Sequence, residues 1–181
     1  SVISLTLARK YARALLDIGL QEGNYEALGK DLRKIADLLK ENRELKGILI
    51  SAAYPAATRK AIARAICEPL GLSKSAVDFI ELLIARERMD HFPEIVKSYE
   101  GLCDGVAGRI RATLVTAGEL PAELVTLIKG QLESKTGKEV ILSMEENPSL
   151  IGGVLTRIGN VIYDGSLKTQ LLRVKESLYK E

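Results

Sequence analysis

Tryptophan is absent, aromatic residues make up only 4% of the chain, and there is a single histidine, His91. A core without large rings has to be filled by Leu, Ile, Val and Ala, which favours helices packed through aliphatic stripes. There are two cysteines, Cys67 and Cys103, and they form no CxxC pair. With one histidine they cannot build a zinc site, so the expectation is two buried free thiols and no metal. No apolar run approaches the ~20 residues that a membrane span needs. The first residues, Ser1-Val2-Ile3, lack a basic stretch followed by an apolar core, so a soluble intracellular chain is expected, bound to a membrane only through partners. Nor is there a charge excess of either sign: 26 basic and 24 acidic side chains leave a net charge of +2. A phosphate-binding surface needs clustered cations, so nucleic acid is not an expected partner.

What remains is an ordinary globular balance, 46% apolar and 28% charged over 181 residues, enough for one large or two small domains. Residues 4–20 read as a helix with Ser4 as its N-cap. On a helical wheel its apolar residues, among them Leu7, Tyr11, Ala14, Leu15 and Ile18, cover an arc of roughly 240°, where one packing stripe needs little more than ~100°. Either this helix is wrapped by its own domain, or one face serves the core and another a partner helix. Gly23-Asn24 ends it. Tyr25, Leu28, Leu32, Ile35, Ala36 and Leu39 then mark a one-faced amphipathic helix that stops before Asn42. A short helix over 44–49 and another from Tyr54-Pro55 to about Cys67 follow. Ser73 opens a fifth, running to about Arg88, in which Ala76, Val77, Phe79, Ile80, Leu82, Leu83 and Ile84 cover about 220°, again too wide for one stripe. A sixth begins at His91-Phe92-Pro93. His91 beside Asp90 at a helix start reads as a cap or surface group, since catalysis would need convergent partners.

The texture changes at Gly101, Gly105 and Gly108, which do not fit G-x-G-x-x-G and follow no strand, so they read as a hinge and not a phosphate loop. Arg109 to Thr116 alternates as a strand. Pro121 opens a helix carrying Leu124, Leu127, Ile128 and Leu132, closed by Gly137. Glu139 to Met144 is a second strand with Val140, Leu142 and Met144 on one face. Pro148 to Ser166 reads as turn, strand, hairpin, strand and turn: Gly152-Gly153, a β run from Val154 to Ile158, Gly159-Asn160 as a two-residue turn, a second run from Val161, then Asp164-Gly165. A last helix from Ser166 puts Leu167, Leu171, Val174 and Leu178 on one stripe. The fold class is therefore mainly α with a small α+β part: a six-helix N-terminal bundle over residues 1–105, then a β-α-β-β-β-α domain over 106–181.

No GxSxG, HExxH, Walker loop or Rossmann fingerprint is present. Ile151-Gly152-Gly153 leads into a strand, so no helix N-terminus awaits an anion there. Glu145-Glu146 reads as a solvated strand end. The residues give no catalytic group, no cofactor site and no metal site. A phosphate-ligand enzyme using either glycine cluster, and a helical adaptor of unspecified partner, stay open at this point.

Leu150-Ile-Gly-Gly-Val-Leu-Thr-Arg-Ile-Gly-Asn-Val-Ile-Tyr-Asp-Gly-Ser-Leu167 resembles the C-terminal signature of the delta subunits of F-type ATP synthase, the family of the oligomycin-sensitivity-conferring protein. Ala8-Arg-Lys-Tyr-Ala-Arg-Ala-Leu15 resembles its opening helix, and the likeness runs the length of the chain. Asn147 and Asn160 stand where the family often has Asp, and both suit turns. The resemblance implies a non-catalytic peripheral-stalk subunit on the cytoplasmic face of an energy-transducing membrane, or the matrix or stromal side in an organelle. It implies that the N-terminal domain holds an N-terminal helix of an alpha subunit between its first and fifth helices, while the C-terminal domain meets b-type stalk subunits. Carried onto this chain, the groove residues are Leu7, Tyr11, Ala14, Ile18, Phe79, Leu82 and Leu83. Gly152, Gly153, Gly159, Asp164 and Gly165 are the structural motif of the C-terminal domain.

Overall fold

The structure, a computed structural model, describes residues 2–150, 153–159 and 161–165. The chain divides into two compact units, Ser1–Cys103 and Asp104–Glu181. It is mainly helical with a small sheet: six α-helices and a short 3₁₀ turn precede the first strand.

Helix α1 spans Val2–Glu22, so it starts ahead of Ser4, which lies inside it and not at its cap. Helices α2 (Tyr25–Glu41), α3 (Arg43–Ile50), α4 (Ala56–Cys67), α5 (Lys74–Ala85) and α6 (Phe92–Val106) follow. The core is aliphatic, as the lack of large rings requires: Ala8, Ala12, Leu15 and Leu16 of α1 meet Leu28, Leu32, Ile35 and Leu39 of α2 and Ile80, Leu83 and Ile84 of α5. Along α6, Phe92, Ile95, Val96, Tyr99 and Cys103 are buried at helical spacing. Cys67 and Cys103 are both buried and form no disulfide, and burial pushes the Cys67 thiol up from its ordinary pKa.

Two features hold this unit together. Tyr99 is fully buried, and its hydroxyl donates to the Tyr25 carbonyl at 2.9 Å; burial pushes its phenol well above the ordinary range. The close approach it completes requires a glycine. A Cβ on Gly19 would lie 2.8 Å from the Cα of Tyr25 and 3.0 Å from the Tyr99 hydroxyl. Backbone cannot yield as a flexible side chain can, so Gly19→Ala should lower stability by about 1–3 kcal/mol, read as a lower urea midpoint. An unchanged midpoint would show that α1 and α2 are free to separate there.

The second feature is Arg59, 2% exposed in α4. Its Nε donates to the Tyr54 carbonyl at 3.0 Å, and Nη1 donates to the Leu49 carbonyl at 3.3 Å and to Glu87 Oε2 at 3.0 Å. Nη2 donates to the second Glu87 oxygen. This hydrogen-bonded partner holds the Glu87 carboxyl below its usual pKa range. Glu87 itself sits at φ +53°, a left-handed conformation uncommon for a residue with a side chain. That turn explains why α5 stops at Ala85 and not near Arg88. A 3₁₀ turn, Met89–His91, fills the gap, and its Met89 is buried.

In the second unit the sheet order is β2-β1-β3-β4. β1 (Arg109–Thr116) pairs parallel with β2 (Glu139–Glu146), so the connection between them is a crossover, made by helix α7 (Ala122–Thr136). β3 (Val154–Ile158) pairs antiparallel with β1 and with β4 (Val161–Gly165). Leu124, Ile128 and Leu132 of α7 pack on Leu114, Leu142 and Val154 of the sheet. Val140 is buried and Leu142 half-buried, while Met144 is 49% exposed. Glu145 and Glu146 lie within β2 and are exposed; Glu145 meets Arg157 of β3 at 3.5 Å. Asp104, 5% exposed, receives Arg111 Nε at 2.6 Å and has Arg109 Nε at 3.6 Å, which places its charge against two cations at the start of β1. Ile158 pairs with Val161, leaving a two-residue turn whose first member, Gly159, has φ +58°, as a glycine there permits. Gly153 has φ +105° just before β3, whereas the backbone of Asp164 and Gly165, expected to form a turn, continues the pairing with β3 as the end of β4. Gly152, Asn160 and the closing helix expected from Ser166 lie outside the described residues.

Candidate interaction groove

Helices α1 and α5 are joined by side chains. Their backbones do not pack closely along their length, whereas α5 packs closely on α4 and α1 on α2. Besides the core that they share, two side-chain contacts link them. The ring of Tyr11 meets Phe79 edge to face, with centroids 6.3 Å apart and planes at 65°. At the end of α1, both carboxylate oxygens of Glu22 accept from the Ser75 hydroxyl, at 2.9 and 2.7 Å. The end of α1 is thus matched to the start of α5, and the two helices run in opposite senses. The line between these two helices is the candidate furrow.

The furrow is lined by apolar groups left in water. On α1, Leu7, Tyr11, Ala14 and Ile18 fall on one stripe at spacings of four, three and four. Leu7 and Tyr11 are half-buried, Ala14 is exposed and Ile18 is 44% exposed. On α5, Leu82 is 43% exposed, while Phe79 is buried against the ring of Tyr11. Leu83 is fully buried in the core and offers no surface. Of the expected groove residues, Leu7, Tyr11, Ala14, Ile18 and Leu82 thus keep exposed surface, while Phe79 and Leu83 are buried. Lys10 and Asp17 stand beside the α1 stripe on the wheel, and Asp78 beside Leu82, so the rim is polar. A half-open trough of aliphatic groups with a polar edge suits an amphipathic helix laid along it. Leu5 and Leu20 are also exposed, at 50% and 45%, but they fall on the opposite flank of α1.

Among the described residues no group of three or more His, Cys, Asp or Glu is placed to hold a metal ion. His91 lies beside Asp90, 3.5 Å from its carboxylate, in the 3₁₀ turn. Gly101, Gly105 and the end of α6 form continuous helix, and Gly108 sits in the turn before β1. Among the described residues no helix is long and apolar enough to cross a membrane.

The sequence signal for the furrow was the excess apolar arc on α1 and α5. The Glu22–Ser75 tie had no such signal, because two polar residues fifty positions apart carry no periodicity.

The chain's kinship follows the same lines. A family model described as ATP synthase delta (OSCP) subunit matches residues 7–178. An ATP synthase subunit delta of Geobacter metallireducens is 38% identical over 179 residues, 99% of each chain. The corresponding protein of Desulforapulum autotrophicum is 38% identical over 175 residues, 97% of this chain and 96% of its own. That of Myxococcus xanthus is 31% identical over 179 residues, 98% of each. A chain in the Toxoplasma gondii mitochondrial ATP synthase hexamer has a similar fold, with a TM-score of 0.71 at 18% identity, over 97% of this chain and 98% of that one.

Proposed function

Because the chain belongs to the ATP synthase delta (OSCP) family, and is thus a non-catalytic peripheral-stalk component of F-type ATP synthase, we propose that its α1–α5 furrow holds an N-terminal helix of an alpha subunit. The observation that supports this reading is that Ala14, Ile18 and Leu82 stay exposed, and Leu7 and Tyr11 partly so, on two helices whose backbones do not pack closely. Fully burying one Leu or Ile side chain contributes roughly 1.5–3 kcal/mol. The partly exposed ones contribute a fraction of that each, and the apolar face of the partner helix, buried in the same step, has to supply the rest against the cost of association.

In this reading residues 1–105 grip the catalytic head and residues 106–181 face b-type stalk subunits. The protein then works as a mechanical link that keeps the head from turning with the rotor during proton-driven synthesis. Such a link needs rigid elements and strong interfaces and no reactive group. It sits peripherally, on the side of the membrane where the catalytic head lies, and reaches the membrane only through the stalk.

The test is a calorimetric titration of the whole chain with a synthetic peptide of the alpha N-terminus. Saturable one-to-one binding, with the peptide gaining helical circular dichroism, is the expected result. Absence of binding at high micromolar peptide would overturn the reading.

A further inference from the structure

The start of α5 is capped by other helices. Ser73, its N-cap, makes no side-chain capping bond, and its hydroxyl is buried without a partner. Instead the Ser73 N–H donates to the Asp31 carboxylate of α2 at 2.9 Å, and the Ser75 hydroxyl donates to Glu22 of α1. Two carboxylates from neighbouring helices therefore meet the positive end of the α5 dipole, where negative charge is favoured. Glu22 also accepts from the Asn24 side chain at 2.9 Å, so it is held at the α1–α2 corner as well.

This leaves the furrow unevenly supported. At one end α5 is tied to α1 by the Glu22–Ser75 pair. In the middle the Tyr11 ring of α1 meets Phe79, and the two helices share the aliphatic core. Beyond that, Leu82 stands in solvent. We propose that Glu22 is a positioning residue for partner docking: by accepting from Ser75 it sets the spacing of α1 and α5, and so the width of the trough that receives a helix. The inference rests on the α1–α5 reading above and adds to it a residue that touches no partner.

The tie lies at the surface, so its loss costs global stability little, as exposed hydrogen bonds do. A docking helix would feel it more, because a trough of unfixed width must be ordered on binding, and that ordering weakens affinity. Glu22→Ala and Ser75→Ala should each weaken the alpha peptide by about fivefold to tenfold in calorimetry, with the thermal midpoint nearly unchanged. The double variant should be no weaker than either single one, since both remove the same bond. Glu22→Gln should restore binding, because its amide oxygen still accepts from Ser75 while the charge is gone.

A second measurement needs no peptide. Nitroxide labels at Gln21→Cys and Lys74→Cys, with Cys67 and Cys103 replaced by serine, report the α1–α5 distance. The distribution should be narrow with Glu22 or Gln at this position and broad in Glu22→Ala. Wild-type affinity and a narrow distribution in Glu22→Ala would overturn the proposal. If the wild-type chain itself failed to bind the peptide, the α1–α5 reading would fall with it, and the label distances alone would report whether Glu22 sets the spacing.

Discussion

Ala14→Asp should abolish binding of the alpha N-terminal peptide, with a loss of at least a hundredfold, and leave the domain folded. Ala14 is exposed on α1, so in the free protein the new carboxylate stands in water. The folded state then bears only the helix-propensity difference between Ala and Asp, roughly 0.5 kcal/mol. With a helix seated in the furrow, the same carboxylate is trapped between Tyr11, Ile18 and an apolar face. An unpaired charge moved out of water costs several kcal/mol, and each ~1.4 kcal/mol is a factor of ten in affinity. Circular dichroism and a urea midpoint near wild type would establish that the fold is intact. Unchanged affinity would place the partner on another surface.

The largest expected effect on stability is at Arg59. Arg59→Ala removes the donors to the Leu49 and Tyr54 carbonyls and to both oxygens of Glu87, and leaves an empty volume beneath α4. A buried, hydrogen-bonded ion-pair member is among the side chains most costly to truncate, and the expected loss is about 3–4 kcal/mol. The loss would also release the turn at Glu87, which has left-handed backbone and is fixed by that guanidinium. Denaturant unfolding of the whole chain measures the effect. A loss under about 1 kcal/mol would mean that the pair is no more than a surface bridge.

Arg59 also shows what the sequence made legible and what it did not. On the wheel it falls between Ile66 and Ala63, inside the apolar stripe of α4, but a charged side chain does not announce its own burial. Its partner Glu87 was not readable, because it lies in a turn with no pattern, and that turn is why α5 ends short of the Arg88 that periodicity alone reached. The wide arcs of α1 and α5 announced spare apolar surface, yet a continuous arc cannot say which part faces the core. Packing decides that: Leu15, Leu16, Phe79 and Leu83 turn inward, and Ala14, Ile18 and Leu82 stay out. In the sheet the alternation of β1 and the Gly159 turn were local signals and could be read directly. The parallel pairing of β1 with β2 depends on where α7 carries the chain, which no single strand encodes.

A partner helix between α1 and α5 is the central claim. The most direct test is amide chemical-shift mapping on the isotope-labelled chain as the alpha N-terminal peptide is added. The account predicts that the largest changes fall at Leu7, Tyr11, Ala14 and Ile18 on one side and Phe79 and Leu82 on the other. Changes concentrated on α3 and α4, or on the sheet of the second unit, would contradict it.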